Sequence, residues 1–176
     1  MDVVAELEQA VRTIPDFPKP GIQFKDITPI LSDPVLLHQA VEALAAPFRD
    51  DGITKVVGIE ARGFILGAML AQFLGAGFVP VRKRGKLPYE TVAVEYKLEY
   101  GTDVIEMYVD AIEPTDRVLI HDDVIATGGT ASACYRLASG FGAEVVGYAF
   151  LMELTFLQGR RVLKDGLRVH SVLMMG

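Results

Sequence analysis

The sequence predicts an α/β fold with an open, mainly parallel central sheet flanked by helices, and three observations carry that expectation. Residues 55–59, 118–120 and 145–152 are short runs dominated by apolar side chains, as strands buried on both faces are. Stretches with helical spacing alternate with these runs, which is the order of a parallel sheet with crossover helices. Residues 117–130 join one such run to two adjacent carboxylates, a Gly/Thr turn and a new helix. Ligands of open α/β sheets bind beyond such strand ends.

The elements follow in order. Val3, Val4, Leu7, Ala10 and Val11 recur at helical spacing, so residues 2–13 read as an amphipathic helix stopped by Pro15. Pro15, Pro18 and the Pro20-Gly21 pair hold the next stretch out of regular structure. Within it, Phe17, Ile22, Phe24 and Ile27 serve equally as plugs for the core or as a wall that stacks on a flat ligand. Asp33 suits a helix cap and Pro34 a first helical position, opening a helix to near Phe48. Residues 55–59 are a central strand with Glu60, Ala61, Arg62 and Gly63 at its carboxyl end, and residues 64–74 are apolar on most faces, as in a buried helix.

Gly75 and Gly77 end that helix, and residues 78–81 form the next strand, where Pro80 argues for a place near an edge or strand end. Residues 82–91 are basic and aperiodic, with Gly85 and Pro88. Val92, Val94, Tyr96 and Leu98 then alternate against Val104, Ile105, Met107 and Val109, with a reversal at residues 100–103. This is an antiparallel hairpin, expected as an insert over the carboxyl edge of the sheet. The strand at 118–120 is expected to run out at Asp122 and Asp123, and residues 131–138 suit a helix. Gly140 and Gly142 lead into the strand at 145–152, residues 158–166 are polar and carry no signal, and residues 168–173 are the last strand.

A chain of 176 residues, 51% hydrophobic and 23% charged, is expected to be a single domain over residues 1–176. Folding at this length buries roughly two-thirds of the chain's surface, so no metal or disulfide staple is needed. One cysteine excludes an internal disulfide and suits a reducing compartment. Asp2 and Glu6 stand where a secretory signal would be basic and then apolar, and no run approaches the roughly 18 apolar residues of a membrane span. A cytoplasmic protein with no membrane partner is expected. The net charge of -6 and pI near 5.1 disfavour a nucleic-acid partner. Against that background Arg82, Lys83, Arg84 and Lys86 form a basic cluster suited to a small anionic ligand.

Three loops should therefore meet at the sheet's carboxyl edge: residues 60–63, 82–91 and 122–130. Ala126, Thr127, Gly128, Gly129 and Thr130 are small or hydroxyl-bearing and precede a helix, so backbone N–H groups there can cradle a phosphate. The same turn would also serve as an ordinary helix cap. Asp122 and Asp123 can take ribose hydroxyls or the waters of a cation. The stretch has neither the lysine of a Walker A loop nor G-x-G-x-x-G, which argues for a phosphate ester of a polyol. Arg62 beside Gly63 offers a rigid donor fork, or a surface ion pair. His121 faces away from Asp122 in an extended strand and reads as structural.

Residues 118–130 resemble the phosphoribosyl pyrophosphate (PRPP) signature of the type I phosphoribosyltransferases. Residues 17–29, 58–64, 82–88 and 96–101 resemble the adenine-specific members of that family, and the likeness spans nearly the whole chain. It implies the family's mainly parallel sheet, an N-terminal helix and hood carrying the adenine strip within residues 1–33, and a flexible loop and hairpin over residues 82–109. It implies transfer of the 5-phosphoribosyl group from PRPP to adenine, giving AMP and pyrophosphate, with Mg²⁺ bound with PRPP near Asp122 and Asp123, and a homodimer.

Residue by residue, the resemblance places Asp122 and Asp123 at the ribose hydroxyls and Ala126, Thr127, Gly128, Gly129 and Thr130 at the 5′-phosphate. Arg62, Arg82 and Lys86 fall at the pyrophosphate, Glu99 at the purine's proton, and Gln23, Phe24 and Lys25 at adenine, with Phe24 stacking on the ring. Arg62, Lys86 and Glu99 are the expected catalytic groups. Two positions depart from the family's pattern: Lys25 stands where arginine is usual, and His121 where a small β-branched residue is usual. The alternatives are a phosphoribosyltransferase for hypoxanthine/guanine, xanthine or orotate, and a non-catalytic PRPP-sensing regulator.

Overall fold

The structure, a computed structural model, describes residues 2–98 and 101–176. Among these, seven strands form one sheet in the order β5-β6-β4-β3-β7-β8-β9. Strands β3 (Lys55–Ile59), β4 (Gly77–Lys83), β7 (Arg117–Ile125), β8 (Glu144–Leu154) and β9 (Arg168–Met175) run parallel. The hairpin strands β5 (Thr91–Lys97) and β6 (Thr102–Tyr108) are antiparallel to one another, and β6 is antiparallel to β4. Alternate residues feed two cores. Val118 and Ile120 face a core shared with α5 (Gly129–Ser139), while Leu119 faces one shared with α1 (Val3–Ala10), α3 (Pro34–Ala45) and α4 (Gly63–Leu74). Burial on both faces explains why these strands read as apolar runs.

Local chemistry sets the helix ends. The Asp33 carboxylate accepts from the N–H groups of Val35 and Leu36, and Pro34 follows at the first helical position. Gly75 closes α4 in the left-handed conformation, at φ 68°. No described helix is long and apolar enough to cross a membrane.

Four expectations are corrected. The N-terminal helix stops at Ala10, because the residues after it, Arg12–Pro15, form strand β1. Thr13 and Ile14 are β-branched and favour extended backbone, and β1 pairs antiparallel with β2 (Gln23–Asp26) inside the stretch expected to be irregular. A short helix α2 (Thr28–Ser32) follows. Helix α4 is buried along one stripe only, and Ile65 on its other face is 45% exposed. The hairpin joins the sheet beyond β4, where β6 meets that strand only at its carboxyl end, Arg82 and Lys83, and it sets Tyr96 beside Thr130. Strand β7 does not run out at the acidic pair but continues to Ile125, because β8 pairs alongside it through Asp122↔Phe150 and Ile125↔Glu153.

Pro80 sits in an interior strand, yet β6 reaches β4 only at Arg82 and Lys83. The proline therefore lies where the outer edge of β4 is unpaired, which is the physical content of the edge expectation.

Candidate active site

Strands β3 and β7 are parallel neighbours, so the turn after one and the carboxyl end of the other lie side by side. A methyl group at Gly63 would lie 2.8 Å from Asp122 Oδ1. Only glycine lets the first turn of α4 approach the acidic pair this closely. Just before it, Arg62 Nε stands 3.0 Å from Asp123 Oδ2, an ion-pair distance without the alignment of a hydrogen bond. The Arg62 guanidinium carbon also lies 5.3 Å from the centre of the Phe24 ring, within cation–π range. Arg62 thus bridges the acidic pair and the N-terminal strip.

Strand β2 brings that strip in. It holds Gln23, Phe24 and Lys25 opposite β1, and Phe17 meets the Phe24 ring edge-on at 5.2 Å. The Lys25 ammonium donates to Thr13 Oγ1 at 3.0 Å, so it is engaged with the partner strand β1. A cleft of about 500 Å³ has Ile22, Gln23, Phe24 and Lys25 on one wall, and Glu60, Ala61 and Arg62 on another. Asp122, Asp123, Val124, Ala126 and Leu154 complete it. A smaller hollow of about 100 Å³ adjoins it, bounded by Asp122, Val124 and residues 125–131.

The electrostatics of the acidic pair are asymmetric. Asp123 is 3% exposed, while Asp122 keeps part of its surface open to the cleft. Burial and the neighbouring Asp123 charge push the Asp122 carboxyl well above the usual carboxylate range, and Arg62 pulls it back only in part. His121 is wholly buried beneath, its Nδ1 donating to the Ala149 carbonyl at 2.9 Å. Burial lowers its imidazole to about 4, so it is neutral at physiological pH.

The loop at 82–91 meets the one at 60–63 through Glu60, a residue to which the sequence assigned no role. Glu60 Oε2 accepts from Arg82 Nε at 3.1 Å and from the Lys83 N–H at 3.0 Å, and Glu60 Oε1 pairs with the Lys86 ammonium. Burial opposes ionisation, but the hydrogen bonds from Lys86, the Lys83 backbone and Arg82 outweigh it and hold this carboxyl below its usual value. Glu60 thereby fixes two of the expected anion-binding cations at the cleft mouth. The turn at 126–130 leads into α5 through Gly128, at φ 80°. The first N–H groups of that helix lack intrahelical partners, and Thr130 Oγ1 donates to the Tyr96 hydroxyl at 3.3 Å, tying the turn to the hairpin.

The fold therefore gathers Gln23, Phe24, Lys25, Arg62, Asp122, Asp123 and Ala126 around one cleft, with Thr127, Gly128, Gly129 and Thr130 around the adjoining hollow. Arg82 and Lys86 are tied to Glu60 on the cleft wall. Glu99 lies outside the described residues. Leu154 and Val124 also line the cleft but carried no sequence signal, being apolar residues near strand ends.

The family model described as "Phosphoribosyl transferase domain" matches residues 31–165, which makes the class of protein a phosphoribosyltransferase. An adenine phosphoribosyltransferase of Myxococcus xanthus is 58% identical over 157 residues, covering 89% of this chain and 85% of that relative. The crystal structure of adenine phosphoribosyltransferase from Rhodothermus marinus superposes with a TM-score of 0.95 at 67% identity over 98% of each chain. That of the Saccharomyces cerevisiae enzyme, complexed with an imino-altritol bisphosphate and adenine, gives 0.91 at 42% identity over 97% of this chain and 98% of that one. The chain belongs to the adenine phosphoribosyltransferase family.

Proposed function

We propose that the chain transfers the 5-phosphoribosyl group from PRPP to adenine, releasing pyrophosphate and forming AMP. One observation carries this reading: a single cleft joins the aromatic strip at 23–25 to the acidic pair and Arg62, and opens beside the phosphate-sized hollow at 125–131. A ribose placed at Asp122 and Asp123 has one end at each compartment. The helix start at Gly129 suits the 5′-phosphate. Arg62, with Arg82 and Lys86, supplies positive charge for the pyrophosphate. Phe24 offers its ring to the purine, with Gln23 and Lys25 beside it.

In the reaction N9 of adenine attacks the anomeric carbon as its bond to the pyrophosphate oxygen breaks. The electron pair leaves with pyrophosphate, and the sugar passes through an oxocarbenium-like state. The charge developing on the leaving group is what the three cations stabilise. The N9 proton must be removed, and Glu99 is the residue proposed to take it. Attack of water on PRPP is the competing loss, so closure of the loop and hairpin at 82–109 over the cleft would protect the reaction.

Among the described residues no three His, Cys, Asp or Glu side chains gather to hold a metal ion. Asp122 and Asp123 nevertheless suit a hard cation brought by its substrate. The carboxyls crowd one another, and Asp123 Oδ2 lacks an aligned donor. When bound with PRPP, Mg²⁺ would supply further neutralisation of the pyrophosphate charge. A homodimer is part of the proposal, supported by the outer side of α4, where Ile65 is exposed and Met69 and Phe73 are half-buried.

The test is product analysis with PRPP, Mg²⁺ and each of adenine, hypoxanthine, guanine, xanthine and orotate. AMP and pyrophosphate in equal amounts from adenine alone is the expected result. Product from another base with none from adenine contradicts the assignment.

A further inference from the structure

The polar stretch that carried no sequence signal packs against the back of the phosphate turn. Residues Gly159–Val162 form a short 3₁₀ helix. A methyl group at Gly159 would lie 2.3 Å from the Ala126 carbonyl oxygen and 3.0 Å from the Gly128 nitrogen. Reciprocally, one at Gly128 would lie 2.2 Å from the Gly159 carbonyl oxygen and 2.8 Å from a Val162 methyl. The two turns are in backbone-to-backbone contact, and both need glycine there. A shift of the 159–162 turn moves the surface on which residues 126–128 rest.

What holds this supporting turn is an ion pair turned away from the cleft. Arg160 Nε donates to both Glu153 carboxylate oxygens, at 2.8 and 2.7 Å, and Nη2 lies 2.6 Å from Oε2. Arg160 Nη1 donates to the Val169 carbonyl at 3.0 Å and Nη2 to Ser171 Oγ at 3.3 Å. Ser171 Oγ in turn donates to Glu153 Oε2 at 2.7 Å. Glu153 is 4% exposed and pairs in β8 with Ile125, the residue immediately before the phosphate turn. Arg160 therefore bolts the supporting turn to β8, the neighbour of the strand β7 that ends at Ile125 and feeds the phosphate turn. A planar fork satisfied on several edges leaves little rotational freedom.

We infer that Glu153 and Arg160 are positioning residues for the 5′-phosphate grip, acting through the Gly159–Gly128 backbone contact and touching no substrate themselves. The inference rests on the reading of residues 126–130 as the phosphate site. It requires that damage to the pair be felt by ligands carrying that phosphate more than by ligands of the 23–25 strip or the Arg62 side.

The experiment uses the full chain with PRPP, adenine and Mg²⁺, and compares wild type, Arg160→Met and the double variant Glu153→Gln/Arg160→Met. The readouts are the KM for each substrate, kcat, inhibition by ribose 5-phosphate and by pyrophosphate, and melting temperature. In Arg160→Met, the KM for PRPP and the inhibition constant of ribose 5-phosphate should each rise about tenfold. The KM for adenine and the inhibition constant of pyrophosphate should stay within about threefold. The double variant strands no buried charge, so it should regain thermal stability while ribose 5-phosphate binding stays weak. If binding recovers along with stability, or if all ligands weaken together, the pair is merely structural and the inference fails. Should Arg160→Met not fold, Ser171→Ala removes one arm of the network and should give the same pattern at about threefold, and unchanged ribose 5-phosphate inhibition there overturns the inference. A wild-type chain that makes no AMP would instead defeat the functional reading itself.

Discussion

Arg82 and Glu60 form an ion pair at the cleft mouth, Nε to Oε2 at 3.1 Å, and Lys86 joins the same carboxylate. Both cations are partly exposed, Arg82 at 35% and Lys86 at 48%, so solvent screens the pair and its worth to stability is no more than about 1 kcal/mol. Its worth to binding is larger, because it holds two donors where the pyrophosphate is to sit. Glu60→Gln should therefore raise the KM for PRPP about tenfold while shifting the melting temperature little. Steady-state kinetics beside a thermal melt checks this, and a large loss of stability at unchanged KM would assign Glu60 to the fold instead.

Asp122 pits ligand binding against stability. Its carboxyl is raised above the 3.8 of an unfolded aspartate by burial and by Asp123. The folded state therefore prefers it protonated, and its contribution to stability is fully present below pH 3.8 and lost as pH rises through the folded value. Asp122→Asn should melt higher than wild type at pH 7, by at least about 2 °C, the shift that 1 kcal/mol produces at this chain length. The advantage should shrink as pH falls toward 4, while activity drops about a hundredfold or more. Melting curves from pH 4 to 8 measure the trend, and an advantage that grows toward acid contradicts it.

His121 works in the opposite sense. Burial holds its imidazole at about 4, below the 6.5 of an unfolded histidine, so between those values the unfolded chain binds the extra proton. Stability is therefore lost as pH falls from 6.5 through 4, by about 3 kcal/mol at most. His121→Val places an apolar side chain in the buried site and has nothing to protonate. Its denaturation midpoint should be flatter over that range than that of wild type, even though lost packing lowers it at pH 7. Parallel pH profiles for the two proteins would sink the assignment.

The order of strands and helices was legible because β3, β7 and β8 are buried on both faces and leave apolar runs that need no partner to be recognised. Asp122, Asp123 and the 126–130 turn were legible because polar, small and glycine residues directly behind such a run are unusual. Other features depend on contacts between distant segments. Strand β1 exists because Thr13 and Ile14 pair with Lys25 and Phe24, a register no local pattern reveals. Glu60 looked like one residue of a turn until Arg82 and Lys86 were brought to it from a different loop. Gly159 and Arg160 sat in a polar stretch without periodicity, and their place behind Gly128 is set by the path of β8.

The proposed site divides its labour: the end of β7 places the ribose, and the strip on β2 chooses the base. Phe24→Leu keeps apolar volume under Arg62 but removes the aromatic face, and stacking of a base on such a ring is worth about 1–3 kcal/mol. Measuring both Michaelis constants of this variant tests the claim most directly. The KM for adenine should rise about tenfold or more, with the KM for PRPP within about threefold of wild type. A parallel rise in both, or an unchanged KM for adenine, would contradict it.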